Sequence, residues 1–157
     1  MNNRIRLLIA ILLPLAIGGL SGYFTVTGTG SWYQVLQKPS WNPPNAIFGP
    51  VWTTLYVLMG IAWYGVWVSD AAPALKKRAH WLFAVQLFLN FWWSIIFFGL
   101  HEIGWALVEI IGLWVSILMT IFSFGKIRSW AAWLLVPYIS WVSFAGILTY
   151  TIWSLNR

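Results

Sequence analysis

Ala79-His80-Trp81-Leu82-Phe83-Ala84-Val85-Gln86-Leu87-Phe88-Leu89-Asn90-Phe91-Trp92-Trp93-Ser94-Ile95-Ile96-Phe97-Phe98-Gly99-Leu100 carries one ionisable side chain, His80, over its whole length. A bilayer core about 30 Å thick is crossed by roughly 20 helical residues. Backbone amides find no partner in hydrocarbon, so a crossing segment must bond within itself. The apolar positions here are continuous rather than alternating, which excludes a barrel strand and predicts a helix. Working outward, four further stretches of the same kind run over about 7–26, 47–68, 104–124 and 129–153, and Glu109 is the one other ionisable group inside them. The expected fold is an all-α membrane protein, a five-transmembrane-helix bundle forming a single domain over 1–157.

Composition agrees. Of the 157 residues 61% are apolar and 8% charged, against roughly 45–50% and 25% in soluble domains. That excludes a soluble enzyme and a disordered chain. Cysteine is absent, so neither a disulfide nor a thiolate is available. The net charge of +6 sits in short connecting segments and leaves no continuous basic face to track phosphates, so no nucleic-acid partner is expected. Arg4, Arg6, Lys76, Lys77, Arg78, Lys126 and Arg128 fall on one side of the bundle, Lys38 and Arg157 on the other. Seven against two predicts a cytoplasmic N-terminus and an outer C-terminus. The first span also resembles a signal peptide, but no small-residue cleavage site follows it. Pro14, Gly18, Gly19 and Gly22 suit a packed, uncleaved helix better.

Three connections are short, which predicts antiparallel helices packed as neighbours. The first, about 27–46, is long and holds Gly28, Gly30, Trp32, Tyr33, Pro39, Trp41, Pro43 and Pro44. Its aromatics fit either a lid folded over the bundle mouth or an anchor in the headgroup layer.

Fourteen tryptophans stand out. Trp67, Trp81, Trp130, Trp133 and Trp153 lie near span ends and suit an interfacial belt; Trp63 and Trp93 fall deeper. Trp52, Tyr56, Met59 and Trp63 share one face of the second span, and Trp141, Phe144, Ala145 and Leu148 one face of the fifth. Two such faces either pack helix on helix or line a slot for a flat apolar ligand. Gln86, Asn90 and Ser94 form a polar ladder on the third span, fit either for interhelical hydrogen bonds or for ligand contacts. Gly18-x-x-x-Gly22 permits close helix approach, and Pro137 is expected to kink the fifth helix. His80 and His101 lie on opposite sides, so no metal site is predicted. No nucleophile–base–orienter set and no phosphate loop is visible, which argues against conventional hydrolysis or phosphoryl transfer.

Trp41-Asn42-Pro43-Pro44, followed by Phe48-Gly49-Pro50-Val51-Trp52 and Leu55-Tyr56, resembles the W-x-P-P-x-x-x-F-G-P-x-W-x-x-L-Y signature of the translocator protein family, also called tryptophan-rich sensory protein or peripheral-type benzodiazepine receptor. Gln86-Leu87, Leu89-Asn90, Trp93-Ser94 and Phe97-Phe98 are similar to the family's third-helix motif. Pro137-Tyr138, Trp141, Phe144-Ala145 and Leu148 are similar to its fifth-helix motif. The likeness covers nearly the whole chain. It implies a homodimer of five-helix bundles in a bacterial cell membrane, each with a cavity capped by the first loop. It further implies binding of porphyrins such as protoporphyrin IX and of isoquinoline carboxamide or benzodiazepine-type drugs, with no cofactor required. The implied lining is Trp32, Tyr33, Pro43, Trp52, Asn90, Trp141, Phe144, Ala145 and Leu148. Trp52 and Trp141 match the pair implicated in light-dependent porphyrin breakdown. Export of porphyrins and ligand-responsive stress sensing are the alternatives.

Overall fold

The computed structural model describes residues 2–25 and 30–157; Gly28 of the first connection and the end of the first expected span at 26 lie outside them. Five helices are long and apolar enough to cross a membrane. They are α1 (Asn3–Phe24), α3 (Asn45–Trp67), α4 (Pro73–Ser94), α5 (Ile103–Gly125) and the α6–α7 pair (Ser129–Trp133 and Val136–Leu155). The short α2 (Trp32–Val35) lies in the first connection, and α4 continues as a π-helical turn over Ile95–Gly99. No strand occurs among the described residues.

Local chemistry sets the ends. Asn2 caps α1 by accepting from the Arg4 amide at 3.1 Å, satisfying one of the donors a helix start leaves free. Pro73 opens α4 at its first turn, where its missing N–H costs nothing. The third span therefore starts six residues before the expected 79, and Lys76, Lys77 and Arg78 ride on the first turns of the helix rather than in a connecting segment. Lys76 bends back to donate to the Ser69 carbonyl at 2.9 Å. Pro137 breaks the fifth span instead of kinking it: α6 ends at Trp133, and α7 restarts with the proline in its first turn. A proline ring clashes with the carbonyl four residues earlier, and a fresh helix start removes that clash. His101, at φ 60°, takes the left-handed position that ends the π turn, which histidine adopts more readily than most residues.

α1 packs against both α3 and α4, α4 against α5, and α5 against α6 and α7. The packing of α3 on α4 is thinner than that of α1 on α3, although a short connection predicts the reverse. The reason is a close approach at Gly60, where a Cβ would stand 2.5 Å from the Ala10 carbonyl oxygen and 2.7 Å from the Ile11 Cα. Backbone meets backbone there, so α1 fits tightly on α3. Met59, Ala62, Val66, Phe83, Leu113, Ile117, Phe124 and Tyr138 fill the core at this level. α3 and α7 face each other through rings, Phe48 to Trp141 at 6.1 Å and Trp52 to Tyr138 at 6.2 Å.

Candidate functional site

At the end of the bundle that carries the first connection, the helices do not close. A cavity of about 400 Å³ opens between α1, α3, α4 and α7, within the usual range for small-molecule sites. Its walls come from different residue types on different helices. α1 offers Gly18, Gly19 and Gly22; α3 offers Phe48, Trp52 and Tyr56; α4 and its π turn offer Asn90, Trp93, Ser94 and Phe97; α7 offers Trp141, Ala145 and Leu148. Glycines on one wall and rings on the others leave a hollow where an ordinary helix pair would interlock. A Cβ at Gly19 or Gly22 would meet no atom within 4 Å, whereas one at Gly18 would strike the Tyr56 ring at 2.1 Å. Close approach through the Gly18-x-x-x-Gly22 pattern is thus real at Gly18 and absent at Gly22.

The floor is a hydrogen-bonded layer. The Tyr56 hydroxyl donates to Asn90 Oδ1. Asn90 Nδ2 donates to the Tyr138 hydroxyl at 3.0 Å, which in turn donates to Gln86 Oε1 at 2.8 Å. All four side chains are buried. The polar ladder of α4 therefore bonds across helices, tying α3, α4 and α7 together, and Asn90 also lines the cavity from above. Trp52 stacks on Tyr56 at 5.6 Å, so the layer fixes that indole from below.

The described part of the first connection, from residue 30 onward, reaches the mouth through Tyr33 and Asn45. Tyr33 is 2% exposed, lines the cavity and donates to Asn42 Oδ1 at 2.9 Å. Burial raises its phenol above the ordinary value of 10, and the bond to Asn42 draws it partly back. Lys38 donates to the Tyr33 and Leu36 carbonyls at 2.7 and 2.9 Å, answering acceptors that the end of α2 exposes. Asn156, beyond α7, closes a two-point pair with Gln37. Its Oδ1 accepts from the Gln37 amide and its Nδ2 donates to the Gln37 carbonyl, each at 2.9 Å. Tyr33 and Asn45 bring the described part of this connection to the cavity, as the lid reading expects.

The structure brings Tyr33, Trp52, Asn90, Trp141, Ala145 and Leu148 to one cavity. Trp32, Pro43 and Phe144 are not in its wall. Trp32 stacks on His101 at 4.3 Å and packs edge-on to Phe97. The Pro43 carbonyl accepts from Asn42 Nδ2, and Phe144 is clasped between Trp41 and Trp141 at 5.9 and 5.4 Å. Trp32 and Phe144 pack against the cluster that holds Tyr33, Phe97 and Leu148, just behind the lining. The aromatic stripe of α3 divides too. Trp52 and Tyr56 reach the cavity, Met59 is fully buried in the core, and Trp63 donates to His80 Nδ1 at 2.7 Å. Sequence reasoning missed Trp93 and Phe97 as lining residues. The π turn that carries Phe97 leaves no compositional trace, and the three α1 glycines read as packing. Trp93 and Trp141 each keep a buried indole N–H with no partner among the described residues.

These features define a class: a helical protein that crosses the membrane several times, with an aromatic cavity under a lid near one face. The sequence profile of the TspO/MBR family matches residues 10–154, and the chain belongs to that family. It is 42% identical over 157 residues to the tryptophan-rich protein TspO of Chlorobaculum tepidum, covering 99% of each chain. The tryptophan-rich protein TspO of Archaeoglobus fulgidus is 41% identical, over 98% of this chain and 99% of its own. The translocator protein of Bos taurus is 39% identical, over 93% and 87%. The chain is thus a multi-pass membrane protein of this family.

Proposed function

We propose that this protein binds a planar tetrapyrrole of the protoporphyrin IX kind in the lidded cavity and promotes its light-dependent oxidative breakdown. The observation that carries the reading is the placement of Trp52 and Trp141 on facing helices around one hollow. A flat apolar macrocycle gains from burial against indole faces. The unpartnered N–H groups of Trp93 and Trp141 are donors that a guest's carboxylates or ring edges need. Flat isoquinoline carboxamide or benzodiazepine-type molecules meet the same walls. No cofactor is required by this reading.

Light supplies the activation. The excited macrocycle passes its energy to dioxygen, and the singlet oxygen adds across a methine bridge, so both oxygen atoms end in the opened product. In a second route Trp52 or Trp141 lends an electron to the excited ring, the ring radical anion adds dioxygen, and the electron returns to the indole radical cation, so the net change is again one dioxygen added to the ring. The protein contributes confinement and an electron-rich wall, not acid–base catalysis. Bleaching of bound protoporphyrin IX under light tests this: Trp52→Phe and Trp141→Phe are expected to slow it, and rates equal to the unmodified chain remove both residues from the chemistry. The name translocator, carried by the mammalian relatives, keeps transport as the rival. Porphyrin flux into vesicles in the dark, without bleaching, favours that rival. The reading also takes the chain as a homodimer in a bacterial cell membrane with its N-terminus inside. Crosslinking and cysteine accessibility from each face check those two points.

A further inference from the structure

Glu109 lies inside a membrane-crossing helix, and the reading above makes no use of it. Both of its carboxylate oxygens are buried with no partner among the described residues. A carboxylate so placed is costly to keep in a membrane and is by default a functional group. Its neighbours on α5 fix where it points. Trp114 donates to Ser143 at 2.8 Å, and a Cβ on Gly146 would meet Ile110 at 3.9 Å, so that side of α5 faces α7. Glu109 is turned about 140° from Trp114, toward α4, the other long helix packed on α5. The Glu102 amide donates to the Ile96 carbonyl at 3.0 Å, which ties the facing ends of the two helices. From Glu102 to Glu109 is about 10 Å of helix, and the same distance back along α4 reaches Leu89 and Asn90, one turn from Gln86.

Gln86 Nε2 is the matching orphan, a buried donor with no partner among the described residues. Unlike the N–H groups of Trp93 and Trp141, it does not line the cavity. It ends the floor layer, in which every bond points the same way: Tyr56 to Asn90, Asn90 to Tyr138, Tyr138 to Gln86. The open end of that row is a donor, and the Glu109 charge reaches the Tyr138 hydroxyl beside it. An amide exchanges its oxygen for its nitrogen by turning over without a change of shape, and a hydroxyl both donates and accepts. The row therefore has two complete polarities. In the one observed, the Tyr56 hydroxyl gives its proton to Asn90 and offers the cavity only lone pairs. In the reverse, Asn90 Nδ2 donates to Tyr56, whose O–H is left for a guest.

We propose that Glu109 is a positioning residue that sets this polarity. Ionised, it accepts from Gln86 Nε2 through one bridging water. Protonated, it donates through that water to Gln86 Oε1 and reverses the row, so the Tyr56 O–H meets a guest carboxylate. This rests on the cavity reading and adds a preference to it: acid guests bind with uptake of one proton, neutral guests without. The proton comes from solvent and ends on Glu109, and no bond of the guest breaks. Few other titratable groups surround Glu109. Tyr138 faces it from α7, where Tyr150 is exposed; His80 on α4 lies about 15 Å beyond Asn90; Glu102, two turns away on α5, is exposed.

Calorimetric titration of the full chain with protoporphyrin IX and with its dimethyl ester, in buffers of different ionisation enthalpy, counts the protons taken up. About one proton for the diacid and none for the ester is expected, with affinity for the diacid falling about tenfold per pH unit over the range of uptake. Glu109→Gln and Tyr56→Phe each abolish the uptake, and Glu102→Gln leaves it intact. Uptake that survives in Glu109→Gln overturns the proposal, as does equal loss in Glu102→Gln. Because Glu109→Gln and Tyr56→Phe act from opposite ends of the row, either one that folds decides the question. Binding of both guests without uptake removes the switch and leaves the cavity reading standing; binding of neither removes both.

Discussion

The two ends of α3 carry the same kind of side chain and do opposite things. Near the first connection, Trp52 and Tyr56 border a hollow. Two to three turns on, Met59 is sealed in the core and Trp63 stacks on Phe83 at 4.8 Å. The difference lies in the facing helices. Opposite Met59 and Gly60, α1 comes down onto α3 until only a hydrogen atom fits at Gly60. Opposite Trp52, α1 presents Gly19 and Gly22 with nothing near them, α7 presents the small Ala145, and α4 loosens into a π turn. An aromatic stripe becomes a core where its partner approaches and a cavity wall where its partner withholds side chains. The Tyr56–Asn90–Tyr138–Gln86 layer is the border between the two regimes.

Substitutions on either side of that border should behave differently, and the largest effect belongs to the packed half. Gly60→Leu puts a branched side chain into the α1 backbone, and a loss of about 3 kcal/mol or more in detergent unfolding, or failure to fold, is expected. Asn90→Leu strips partners from the Tyr56 and Tyr138 hydroxyls at once, and about 2 kcal/mol of stability should go with them. Ala145→Phe fills the hollow and should weaken porphyrin quenching at least tenfold while shifting the melting temperature little. If instead the melting temperature collapses, the α7 wall is core and the division drawn here is misplaced. Asn156→Ala releases the Gln37 pair at an exposed site. It should cost about 1 kcal/mol locally and appear as faster proteolysis of residues 30–44 and faster guest release in stopped flow. Gly22→Ala has the smallest effect and the opposite sign: with open space around it, stability should hold or rise by up to about 1 kcal/mol.

How much of this was legible beforehand varies with the physics involved. The five crossings followed from uncharged length alone, since that constraint is local and strict. Pro137 was recognisable as a disruption, but whether it kinks or breaks a helix depends on what packs beside it. The start of α4 was placed late because Lys76, Lys77 and Arg78 read as a connection. Long basic side chains on a first turn reach the interface while their backbone stays helical. Six of the nine cavity positions carried over from the family likeness do line one hollow. Trp32, Pro43 and Phe144 do not line it, a distinction that helical spacing cannot draw. The π turn holding Phe97, and the switch of α1 from contact at Gly60 to clearance at Gly22, arise from three-dimensional packing and have no signature in one strand of sequence.

The measurement that goes most directly to the centre is a titration of the intact protein with protoporphyrin IX, followed by tryptophan fluorescence, in three forms: unmodified, Ala145→Phe, and Ala84→Trp on the outside of the bundle. Saturable quenching at one site per chain, abolished by Ala145→Phe and untouched by Ala84→Trp, is the predicted result. Undiminished quenching in Ala145→Phe would contradict it, because a guest that ignores a phenyl ring placed in the hollow does not occupy the hollow.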